Sequence, residues 1–295
     1  MNARELIQRV RRIEITSRRA VEETLAGQYH SVFKGRGMDF SEVRAYAPGD
    51  DVRSIDWNVS ARTGDLHVKR FVEERELSVM ILCDLSGSAD FGTGARTKAE
   101  VAAEIAALIA LSAVENGDRV GLTLFTDEVE RHVPPRKGRR HALRLVSEIL
   151  RFEPRRRGTD LGAALEQLRR ANRRRAVAFL LSDFLDDPDR FERPLRLAAA
   201  RHDVVPIRIE DRLERELPAV GLALLEDPES GRAVRVDLSD RRVRERYAAG
   251  VAAADARLDR LFARLELDAA RVRADDADYV APLLAFFRAR ARRHG

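Results

Sequence analysis

Four short apolar runs constrain this chain more than any other feature. Leu77–Cys83 (LSVMILC), Val120–Phe125 (VGLTLF), Ala176–Leu181 (AVAFLL) and Val204–Ile209 (VVPIRI) are of strand length, and none alternates apolar with polar residues over its whole length. A strand with one wet face alternates, whereas a run apolar at nearly every position is covered on both faces. Between these runs lie stretches with helical periodicity: Thr97–Glu115, His141–Phe152, about Asp160–Ala171, and one running through Leu195–Arg201. Strand and helix in alternation predict an α/β fold: a doubly wound, Rossmann-like, mostly parallel sheet with helices on both faces. Further on, Gly221–Leu225 and Ala233–Leu238 flank the turn sequence Asp227–Gly231 (DPESG), which predicts a hairpin insertion near 221–238. A long helix over Arg241–Leu265, an edge strand over Asp268–Arg273 and a last amphipathic helix over Pro282–Arg293 complete the reading.

The chain ahead of Leu77 differs in character. Leu6, Val10, Ile13, Val21 and Leu25 recur at helical steps, which predicts an amphipathic helix within 1–26. Residues 28–76 hold Gly35, Gly37, Gly49 and short mixed runs, and they read as irregular loops with brief strands. That stretch is polar for its length, so 1–76 is expected as an N-terminal segment packed on a core domain of 77–295, with Trp57 as an anchor. Pro48-Gly49 predicts a type II turn. Asp50 and Asp51 beside it are expected to pair with arginines such as Arg44 and Arg53, rather than to build a second cation site with Asp56.

Composition narrows the setting. Residues 1–26 are charged throughout, and no apolar run approaches the roughly 20 residues of a membrane helix. A lone Cys83 fits a reducing compartment, so a cytoplasmic chain without a membrane segment is expected. The net charge of +5 comes from 54 basic against 49 acidic residues. Arginine clusters at 155–157, 173–175 and 288–293 have no aromatic residues interleaved for base stacking, which favours a solvated surface or an acidic protein partner over nucleic acid.

Three features then fall on one side of the predicted sheet. Asp84-Leu85-Ser86-Gly87-Ser88 begins where the first central strand ends, Gly158-Thr159-Asp160 opens a helix, and Ser182-Asp183 lies where the third run ends. Ligands of open parallel sheets bind beyond the carboxyl ends of the strands, where the strand order reverses. Taken singly, each feature is an ordinary cap or turn. Together they offer hydroxyls from Ser86, Ser88 and Thr159 and carboxylates from Asp84 and Asp183. Such a set suits a hard cation, Mg²⁺ or Mn²⁺, and leaves a position for water or an incoming carboxylate. With no imidazole or thiolate in the set, zinc is not expected.

The order Asp-x-Ser-x-Ser, then Thr159, then Asp183 resembles the metal-ion-dependent adhesion site of von Willebrand factor type A domains. The segments Gly35–Trp57 (GRGMDFSEVRAYAPGDDVRSIDW), Asn58–Arg62 (NVSAR) and Phe71–Glu76 (FVEERE) resemble one bacterial branch of that fold, the domain-of-unknown-function family 58. Ser182–Leu185, Glu216–Gly221 and Glu226–Gly231 are similar to it too. The resemblance implies a metal held by Asp84, Ser86, Ser88, Thr159 and Asp183. It also implies a role as adaptor or substrate recruiter for a MoxR-type AAA+ ATPase, with a client protein that presents an acidic residue. Many type A domains carry Gly after the final Asp; Phe184 stands there in this chain.

Two other classes were weighed. A metal-dependent hydrolase of phosphoesters or peptides would need a base beside Ser86 or Ser88, and none of the six histidines falls at an obvious sheet-edge position. An arginine-mediated nucleic-acid binder is the other. Gly92–Lys98 (GTGARTK) lacks the glycine order of a phosphate loop and is expected to be a site loop leading into a helix. A binding module with no catalytic residue is the expectation.

Overall fold

A computed structural model describes residues 38–73 and 76–294, with Gln8 besides. The helix expected within 1–26 and the Gly35–Gly37 start of the signature segment lie outside the described residues. The described residues form two compact units, 38–77 and 78–294.

In the smaller unit, β1 (Met38–Ala45) and β2 (His67–Glu73) pair antiparallel, with a bulge between Phe40 and Glu42. Helix α1 (Trp57–Thr63) lies between them. Asp56 starts it by accepting from the backbone N–H groups of Asn58 and Val59, and Gly64 ends it in the left-handed region at φ 83°. The segment is thus more ordered than loops with brief strands. Its helix is too short for periodicity to reveal, and its cap supplies the signal that was missed. Within this unit Trp57 opens the helix and is exposed. Pro48-Gly49 does make its turn, with Gly49 at φ 109° and Asp50 N–H donating to Ala47 O. Asp50 takes Arg44 in a two-pronged pair, Asp51 caps a 3-10 turn, and Asp56 is a helix cap.

The larger unit contains a six-stranded sheet with the order β10-β7-β6-β3-β4-β5. The strands are β3 (Ser78–Asp84), β4 (Arg119–Phe125), β5 (Val129–Arg136), β6 (Val177–Ser182), β7 (Asp203–Glu210) and β10 (Ala270–Arg273). All neighbours are parallel except β4 and β5. The fold is therefore the mixed α/β, mostly parallel architecture that the apolar runs imply. β5 runs through Pro134 and Pro135, because an edge strand tolerates residues without an N–H.

The helices are α2 (Lys98–Glu115), α3 (Arg139–Arg151), α4 (Leu161–Ala171), α5 (Pro188–Ala199), α6 (Arg241–Arg264) and α7 (Val280–His294). Met80, Leu82, Ala178 and Leu180 on one face of the sheet pack with Leu165 of α4, Leu195 of α5 and Leu261 of α6. Phe179, between Ala178 and Leu180, points to the other face and meets Phe287 of α7 edge-to-face at 6.1 Å. Both faces are thus dry, which is why the central strands do not alternate. The hairpin of β8 (Leu222–Glu226) and β9 (Ala233–Asp237) forms a separate two-stranded sheet. Among the described residues no helix is long and apolar enough to cross a membrane.

Candidate functional site

The chain returns to the centre of the sheet at one place. After β3 it builds β4 and β5 on one side, then crosses to place β6 on the other side of β3. The carboxyl ends of β3 and β6 therefore lie side by side at the reversal of strand order. Asp84 ends β3 and Ser182 ends β6, and the Ser182 hydroxyl donates to Asp84 Oδ2 at 2.6 Å. Asp84 Oδ1 accepts from Ser86 N–H at 3.0 Å, which curls the following loop back over the strand end. Leu85 N–H donates to Phe125 O and ties the loop to the end of β4.

Four of the five expected site residues join in one chain of hydrogen bonds. Beyond the Asp84–Ser86 bond, the hydroxyls of Ser86 and Ser88 lie 3.1 Å apart, and Ser88 Oγ donates to Asp183 Oδ2 at 2.7 Å. All four are buried. Asp183 is held from behind: Leu185 N–H donates to its Oδ1 at 3.1 Å, and Arg208 Nε donates to its backbone oxygen at 3.1 Å.

The fifth, Thr159, is buried on the adjoining loop. That loop is fastened to the same corner, because Gly87 N–H donates to Arg157 O and Asp160 N–H donates to Thr126 O, both at 2.8 Å. Asp160 caps α4 through Ala163 N–H, so the two neighbours divide the work and the Thr159 hydroxyl is left free of the cap. Its hydrogen bond goes to Glu229 Oε1, at 2.7 Å, on the hairpin turn.

Sequence reasoning missed Lys98, Glu214 and Glu229. Lys98 Nζ donates to Asp183 Oδ2 at 2.6 Å and also to Glu214. Burial pulls this ammonium down, but Asp183 and Glu214 more than offset it, and its pKa ends above the ordinary lysine value. Lys98 ends the GTGARTK stretch, and nothing local in the sequence marks it as a partner of Asp183. Burial, then the neighbouring charge of Asp183, push the Asp84 carboxyl up to about 7. Burial is the larger cause of that shift, and the nearby Asp183 carboxylate adds to it.

Phe184, directly after Asp183, adopts a backbone that Gly favours, at φ 54°. The left-handed region is costly for a bulky side chain. The ring is buried and meets Phe262 at 5.4 Å and Phe191 at 6.3 Å, which offsets that cost by packing.

The donors fit a hard cation in kind: every side chain of the set ends in oxygen, and the nearest carboxylates repel one another. Among the described residues no group of three or more His, Cys, Asp or Glu gathers as a metal cluster. The set is instead two carboxylates and three hydroxyls.

Fold and site together define a doubly wound α/β domain with a buried cluster of hydroxyls and carboxylates at its switch point. The chain belongs to the family described as Protein of unknown function DUF58, which matches residues 42–257. An uncharacterized protein of Mycobacterium tuberculosis H37Rv is 36% identical over 286 residues, covering 96% of this chain and 89% of its own, and one of Mycobacterium bovis matches to the same extent. Among solved structures, an aerotolerance-related membrane protein of Bacteroides fragilis is similar at 15% identity, with TM-score 0.48, covering 74% of this chain and 99% of its own. A von Willebrand factor type A protein of Catenulispora acidiphila is similar at 17% identity, with TM-score 0.42, covering 77% of this chain and 44% of its own. With scores below 0.5, the fold assignment rests on the strand order itself.

Proposed function

We propose that this chain is a metal-dependent protein-interaction module, in which Mg²⁺ or Mn²⁺ held by Asp84, Ser86, Ser88, Thr159 and Asp183 receives an acidic side chain from a partner. The observation that carries this reading is the buried run Asp84–Ser86–Ser88–Asp183 at the switch point, with carboxylates whose repulsion a divalent ion would relieve. The ion would supply a positive centre for a carboxylate; the protein's part is to fix the oxygens and exclude competing water. The family resemblance supports an adaptor or recruiter role beside a MoxR-type AAA+ ATPase, and the lone Cys83 supports a cytoplasmic setting.

A thermal melt tests the metal. Mn²⁺ or Mg²⁺ at millimolar level is expected to raise the Tm of the wild type in a concentration-dependent way, and to leave Asp84→Ala and Asp183→Ala unmoved relative to chelator. No response of the wild type sinks the reading. Turnover of generic phosphoester or peptide substrates, lost in Asp183→Ala, would favour a hydrolase instead. Affinity capture with and without Mg²⁺, with Asp84→Ala as control, tests the ATPase partner.

A further inference from the structure

The tip of the β8–β9 hairpin is built onto the site. Among the described residues its two strands pair only with each other, and Leu222 and Leu224 are each 68% exposed. A two-stranded ribbon is marginal on its own, so its position comes from where it is tied down. At its base Leu238 is buried and its N–H donates to Gly221 O at 2.7 Å. At its tip the Pro228 carbonyl lies so close to Gly87 that a Cβ there would stand 2.3 Å from the oxygen. Between base and tip runs a cavity of about 980 Å³, with Ser88, Asp183, Leu225, Glu229 and Val236 in its wall.

The turn also aims Glu229. Asp227 Oδ1 accepts from Glu229 N–H at 3.0 Å, its other oxygen takes the Ser230 hydroxyl, and Gly231 N–H donates to Asp227 O at 2.8 Å. The Glu229 carboxylate is half-buried, and its partner among the described residues is the Thr159 hydroxyl, with no Lys or Arg paired to it. Among the described residues this carboxylate, carried to the edge of the site, has a neutral hydroxyl and no cationic side chain as its partner.

We propose that Glu229 is the resident carboxylate of the site: within the chain it takes the place that a partner's acidic side chain would take at the ion, and a partner enters by exchange with it. The proposal rests on the metal reading above and names the form of the competing ligand. That ligand is an acidic residue on a turn-like segment, with small or apolar neighbours that follow the cavity wall as Pro228 and Leu225 do. Exchange lifts the turn from Gly87 while the ribbon stays fixed at Leu238.

Mn²⁺ titration of the full chain by calorimetry, with and without excess acetate, tests this. Glu229→Ala is expected to weaken Mn²⁺ binding by about tenfold or more, and acetate to restore most of it by filling the vacated place, while the wild type ignores acetate. Glu229→Gln is expected to lose affinity with less rescue, because the amide still fills the space. Glu226→Gln, exposed on the same hairpin, keeps wild-type affinity. Matching circular dichroism and melting in chelator establish that the variants fold. A Glu229→Ala protein that binds Mn²⁺ as well as the wild type, or gains nothing from acetate, overturns the resident carboxylate and leaves the metal site standing. Absence of Mn²⁺ binding by the wild type overturns both.

Discussion

A buried ammonium joined to two carboxylates is costly to break from one side, and Lys98 is such a group, 3% exposed between Asp183 and Glu214. Lys98→Met is expected to destabilise the metal-free protein by about 3–5 kcal/mol, because two acids are left without their cation. The same change removes the competitor for Asp183, so the Mn²⁺-induced rise in Tm is expected to exceed that of the wild type. Paired melts in chelator and in Mn²⁺ read both effects, and an equal or smaller rise contradicts the competition. At Phe184 two opposed effects can be weighed. Phe184→Gly relieves about 1 kcal/mol or more of left-handed strain but removes a ring packed on Phe191 and Phe262, worth about 3–5 kcal/mol. A net loss of about 2–3 kcal/mol in urea unfolding is the expected result; a more stable variant would mean that strain dominates.

At the scale of elements, the start of α4 separates folding from binding within two residues. Asp160 holds Ala163 N–H as a cap, whereas Thr159 faces the hairpin turn. Asp160→Ala is expected to cost about 1 kcal/mol of stability and to keep Mn²⁺ affinity within a few-fold. Thr159→Ala is expected to lose Mn²⁺ binding, at a stability cost of about 1 kcal/mol for the buried hydroxyl's bond to Glu229. Urea unfolding and Mn²⁺ titration of both variants check the division. Behind the site, Arg208 of β7 reaches Asp255 of α6 at 2.6 Å and Glu210 at 3.1 Å, and Arg215 pairs with the same two acids. This buried group ties the helix to the strand and fixes the Asp183 carbonyl through Arg208.

Across the whole molecule, stability is expected to depend on pH through His202. Its ring is 1% exposed, and Nδ1 accepts from Ala176 N–H at 3.2 Å, clamping the start of β6 to the start of β7. Burial, then Arg201, Arg169 and Arg175, pull its pKa from 6.5 down to about 4. Between these values the unfolded chain binds a proton that the folded one refuses. The clamp's contribution is therefore complete above 6.5 and is lost as pH falls towards 4. From pH 6.5 to pH 5 the wild type is expected to lose about 1–2 kcal/mol more than His202→Gln, because the limiting slope of about 1.4 kcal/mol per pH unit is reached only below 6.5. Urea unfolding at the two pH values checks it, and parallel losses in both proteins refute it.

The apolar runs determined the sheet and its mostly parallel sense, because burial on both faces writes itself into consecutive residues. Asp84, Ser86, Ser88 and Asp183 were legible for a related reason: strand ends are visible in sequence, and parallel strands bring their carboxyl ends to one edge. Helix α1 and the passage of β5 through its prolines were not legible, since a short cap-driven helix and an edge strand leave weak periodicity. Only the tertiary structure decided what completes the site. Lys98, Glu214 and Glu229 reach it from a helix start, a loop and a hairpin far apart in the chain. Long-range charge pairing leaves no local pattern, because its energy depends on distances that exist only after the chain has folded.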